Sequence, residues 1–66
     1  MKCMKTIFWD VDLLVITQEG AHIETYIGLL GTRTQAVHKA TIRALERNNY
    51  NCKLSYWFNV KRAKNE

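Results

Sequence analysis

Residues 32–49, TRTQAVHKATIRALERNN, constrain the fold of this chain more than any other stretch. They form the one segment with a helical period, and the sequence on either side alternates as strands do. Thr32 follows Gly31 and is placed to act as N-cap. Gln35, three residues later, completes a capping-box pattern. At about 100° per residue, Val37, Ala40, Thr41, Ala44 and Leu45 share one side, small enough to lie close against a sheet. Lys39, Arg43 and Arg47 fall on the opposite side, and Ile42 lands near them. Asn48 and Asn49 suit the helix end, because short amides tolerate the left-handed conformation.

Residues 6–17, TIFWDVDLLVIT, are rich in β-branched and aromatic side chains and alternate. The odd positions Ile7, Trp9, Val11, Leu13 and Val15 make an unbroken apolar face, whereas the even positions mix Phe8, Leu14 and Ile16 with Asp10 and Asp12. Gln18, Glu19 and Gly20 form a turn. Continued alternation then assigns Ala21, Ile23, Thr25, Ile27 and Leu29 of a second strand to the core, and His22, Glu24, Tyr26, Gly28 and Leu30 to the other face. Beyond the helix, Cys52, Leu54, Tyr56, Phe58 and Val60 make a third core face, with Lys53, Ser55, Trp57, Asn59 and Lys61 pointing away.

The expected fold class is α+β: a small two-layer β-β-α-β domain in which one helix packs on one face of a three-stranded antiparallel sheet of order 2-1-3. The expected bounds are strands at 6–17, 21–30 and 51–62, a helix at 33–48 and a frayed tail at 63–66, all within a single domain, 1–66. The most apolar strand takes the centre. Order 1-2-3, with the third strand parallel to the second, is the alternative. A hydrophobic content of 47% and the absence of proline argue against disorder. One core of this size supplies only about 3–5 kcal/mol of stability.

Asp10-Val11-Asp12, following Ile7-Phe8-Trp9, resembles the first motif of haloacid-dehalogenase-like phosphatases, and the resemblance implies a nucleophilic Asp10 seconded by Asp12. Leu13 and Leu14 depart from that pattern, in which a small residue and then Thr or Val follow. A 66-residue chain with one helix also cannot supply the family's Rossmann-like domain, its later Lys and its acidic Mg²⁺ ligands. Read on their own, Asp10 and Asp12 guard the solvent face of a strand against sheet-to-sheet association. His22 and Glu24 on the same face would add a histidine and a third carboxylate. A flat, wet sheet does not converge such ligands, so no metal and no cofactor is expected. With no Ser/His/Asp or Cys/His arrangement and no Gly-rich phosphate loop, the chain is expected not to be an enzyme.

Cys3 and Cys52 are too few for a zinc site, and order 2-1-3 sets them toward opposite ends, so no disulfide between them is expected. The apolar run after Thr6 is broken by Asp10 and Asp12, so neither a signal peptide nor a membrane span is expected there, and a cytoplasmic location is the expectation.

Two surfaces remain as candidates. The outer sheet face is expected to carry Phe8, Leu14, Ile16, Tyr26, Leu30 and Trp57, with Lys53 and Lys61 flanking Trp57; Phe8, Tyr26, Trp57, Lys53 and Lys61 are the protein-binding candidates. The helix stripe Lys39, Arg43 and Arg47, joined by Arg62, is the nucleic-acid-binding alternative. The net charge of +4 permits either partner. The leading expectation is a non-catalytic protein-binding module that inhibits or modulates its target. Its element order is similar, in topology alone, to small phage inhibitors of host RNA polymerase and to phage antitoxins. Nucleic-acid binding and a self-associating homodimer are the alternatives.

Overall fold

The computed structural model describes residues 7–63, the side chains of Tyr56 and Trp57 excepted. Four elements follow in order: β1 (Phe8–Thr17), β2 (Gly20–Leu30), α1 (Arg33–Arg47) and β3 (Lys53–Arg62). The strands form one antiparallel sheet of order β2-β1-β3 with α1 packed on one face, which is the expected two-layer α+β arrangement; the 1-2-3 alternative is excluded. Cys3 and most of the expected tail lie outside the described residues, and Cys52 is a free thiol.

Local chemistry accounts for the ends of α1. The Gln35 amide donates to Thr32 Oγ1 at 3.2 Å, and the Thr32 amide donates to Gln35 Oε1 at 2.9 Å, so the two groups satisfy each other. At the far end the Asn48 side-chain amide donates to the Ala44 carbonyl at 2.7 Å. The chain then leaves through two left-handed residues, Asn49 (φ 56°) and Tyr50 (φ 59°), and the Tyr50 amide returns to the Leu45 carbonyl at 2.7 Å.

The helix seam is Ala36, Ala40 and Ala44, all fully buried, with Val37, Thr41 and Leu45 half-buried beside it. It runs one residue to the side of the expected stripe. Methyl groups at i, i+4 and i+8 let the helix settle onto the fully buried Val11, Leu13 and Val15 of β1 and onto Leu29. Trp9 pins the start of β1 to the strand–helix junction by donating Nε1–H to the Gly31 carbonyl at 2.7 Å.

The faces of β2 differ from the expectation. Trp9 pairs with Leu29 but Val11 pairs with Tyr26, so two steps along β1 face three along β2. The extra residue sits opposite Asp10, where Gly28 adopts φ 69° and donates its amide to Asp10 Oδ1 at 3.2 Å. Because strand side chains alternate, one inserted residue exchanges the faces of everything on one side of it. His22, Glu24 and Tyr26 therefore share the helix side with Val11, Leu13 and Val15, and Ala21, Ile23, Thr25 and Ile27 face outward. Only Leu29, beyond the bulge, stays in the core as expected.

The second irregularity behaves differently. Leu13 pairs with Phe58 and Val15 with Leu54, so two steps on β1 face four on β3. Two extra residues preserve the alternation, and Leu54, Phe58 and Val60 keep the helix side.

Two substitutions test these backbone assignments by urea unfolding. Gly28→Val should lose about 1–2 kcal/mol through the left-handed conformation alone, since an added Cβ meets nothing within 4 Å. Tyr50→Gly should gain up to about 1 kcal/mol, because Tyr50 is well exposed and its φ of 59° is unfavourable to any side chain.

Candidate protein-binding face and the polar network behind it

The outer face of the sheet carries cross-strand apolar pairs at both ends. Phe8 faces Leu30 at one end; Leu14 faces Ile23 and Ile16 faces Ala21 at the other. Ile27 projects beside the bulge. Four of these side chains are exposed: Ile27 at 71%, Ile23 at 52%, Leu30 at 48% and Ile16 at 41%. The middle of the face is polar and locally satisfied. Asp12 accepts from Thr25 Oγ1 at 2.8 Å and from Asn59 Nδ2 at 3.2 Å, and Asp10 lies opposite Lys61. The carboxylates thus tie all three strands together on the side that the helix leaves open.

Of the candidate residues for protein binding, Phe8, Lys53 and Lys61 do lie on this face, the two lysines on the β3 edge opposite Ile16 and Asp10. Tyr26 does not. The bulge turns it to the helix side, where it packs against the core. The Trp57 side chain lies outside the described residues. Ile23 and Ile27 take the place that strict alternation gave to Tyr26; a glycine inside a strand pattern, Gly28, is the signal for this exchange.

The basic residues do not form one track. Lys39, Arg43 and Arg47 are exposed along α1, but Lys39 donates to the Leu30 carbonyl at 2.7 Å and Arg47 reaches the Tyr26 hydroxyl. Arg62 belongs to β3, the edge opposite β2. His22 and Glu24 are also separated from Asp10 and Asp12 by the thickness of the sheet. Among the described residues no three His, Cys, Asp or Glu side chains converge on a point suited to a metal ion.

Among the described residues Glu24 is the buried charge, with 8% of its surface exposed. Tyr26 donates to its Oε1 at 2.6 Å; His22 Nε2 lies 2.7 Å from Oε2, and Asn48 Nδ2 donates to Oε2 at 3.2 Å. These bonds join three successive helix-facing positions of β2 to the C-terminal cap of α1. Burial pushes the Glu24 carboxyl up, but the hydrogen bonds from Tyr26, His22 and Asn48 outweigh it and hold the group below its ordinary value. Burial and the bond to Glu24 raise the Tyr26 phenol, with Arg47 beside it pulling the other way.

No helix of the described residues is long and apolar enough to cross a membrane. No protein-family model matches the sequence, and no curated protein and no solved structure matches it significantly.

The Glu24 network has a defined pH signature. A carboxyl held below its unfolded value of 4.5 stabilises the fold above that pH, and the contribution disappears as the pH falls through the lower folded value. Glu24→Gln should cost about 1–2 kcal/mol at pH 7 by weakening three hydrogen bonds. It should also flatten the fall in stability below pH 4.5, as read from urea midpoints at neutral and acid pH.

Proposed function

We propose that this protein is a non-catalytic binding module that docks the outer face of its sheet on another protein and thereby modulates it, in a reducing, cytoplasmic setting. The observation that carries this reading is the row Ile16, Ile23, Ile27 and Leu30, exposed on the one sheet face that no described element covers. Full burial of one such side chain contributes about 1.5–3 kcal/mol. Exposed isoleucines and a leucine on either side of a polar centre, with lysines along one edge, offer a partner apolar anchors beside charged and hydrogen-bonding groups. Asp12, held from both sides by Thr25 and Asn59, keeps the centre of the patch rigid before a partner arrives.

Capture from lysate by the tagged protein, with and without nuclease, tests this reading. A partner protein should be retained after nuclease, be lost at least about tenfold in Ile16→Lys/Ile27→Lys, and be unaffected by Lys39→Ala/Arg43→Ala. Capture that vanishes with nuclease and with the helix substitutions would replace the sheet face by a nucleic-acid site on α1.

A further inference from the structure

We propose that β2 is a dimerisation strand, pairing antiparallel with β2 of a second copy about a two-fold axis beside Ile23 to extend the sheet from three strands to six. The proposal rests on the edge of β2 and is independent of what the outer face binds.

The two edges of the sheet are built differently. β3 carries Lys53, Lys61 and Arg62 and is broken by the two extra residues opposite Leu14, the features that protect an edge from pairing. β2 is the longest strand, Gly20–Leu30, and contains no lysine, arginine or proline. Its seven residues from the turn to Tyr26 pair with β1 without interruption, so they present a regular ladder on the other side as well.

The alternation of the ladder says which groups are on offer. Thr17 and Gly20 flank a two-residue turn and form the first hydrogen-bonded pair; Val15 with His22, Leu13 with Glu24 and Val11 with Tyr26 follow. The amides and carbonyls of Ala21, Ile23 and Thr25 therefore point away from β1. Among the described residues, no backbone hydrogen bond outside the sheet reaches them.

A two-fold axis beside Ile23 uses these same groups. Ile23 meets Ile23 of the second copy, and Ala21 meets its Thr25, both as hydrogen-bonded pairs. On the helix side His22 falls opposite Glu24 of the second copy, so no like charges face each other across the ladder. The two helices lie on the same side, and the two exposed isoleucine rows join into one continuous outer face. A ladder of this length is at the small end of specific interfaces, so the association should be weak and concentration-dependent.

Sedimentation equilibrium over a roughly hundredfold concentration range tests the proposal. The wild-type chain should pass from monomer to dimer. Ile23→Pro, which removes an outward amide but no bond to β1, should be monomeric with an unchanged circular dichroism spectrum. Ile16→Lys, which alters the outer face on the central strand β1 and not the β2 edge, should still dimerise. In the wild-type chain, the Ile23 and Thr25 amides should exchange more slowly with solvent as concentration rises. A chain that stays monomeric throughout, a dimer that survives Ile23→Pro or is lost in Ile16→Lys, or amide exchange independent of concentration would overturn it.

Discussion

A β-strand cannot choose which of its side chains meet the core once its register is set, and here one residue sets the register. The extra position at Ile27 and Gly28 divides β2 into a short segment that places Leu29 in the core and a longer one whose phase is reversed. The left-handed backbone of Gly28 makes the insertion inexpensive, and Asp10 accepts the amide that the interrupted ladder leaves over. Everything distinctive about the molecule follows from that phase: a carboxylate under the helix, and isoleucines on the open side.

The reversed phase would be untenable without the groups that receive it. Glu24 arrives on the helix side of a small core and finds Tyr26, His22 and the Asn48 cap within hydrogen-bonding distance. An unpaired carboxylate there would cost several kilocalories; hydrogen-bonded, it links β2 to the end of α1. The alanine seam contributes by keeping the helix close enough for Asn48 to reach the sheet. The apolar residues displaced outward have no corresponding cover among the described elements, which is why function is sought on that face.

What the sequence disclosed divides along the same physical line. Interactions local in the chain were legible: the Thr32–Gln35 capping box, the apolar odd positions of β1, and the Asn48–Asn49 helix end all follow from a few neighbouring residues. The phase of β3 was legible as well, because its two extra residues leave alternation intact. The phase of β2 was not, since alternation carries no record of an inserted residue, and Tyr26 was consequently placed on the wrong face. The left-handed Tyr50 also escapes a reading by residue type; it is imposed by the path from the end of α1 to β3.

The central claim is the register of β1 against β2, and nuclear Overhauser contacts between the two strands test it most directly. The account predicts backbone contacts from Val11 to Tyr26 and from Leu13 to Glu24, with the Tyr26 ring close to the C-terminal turn of α1. Contacts from Val11 to Ile27 and from Leu13 to Thr25 would mean an uninterrupted strand. They would return Ile23 and Ile27 to the core and remove the basis for the outer face as a binding surface.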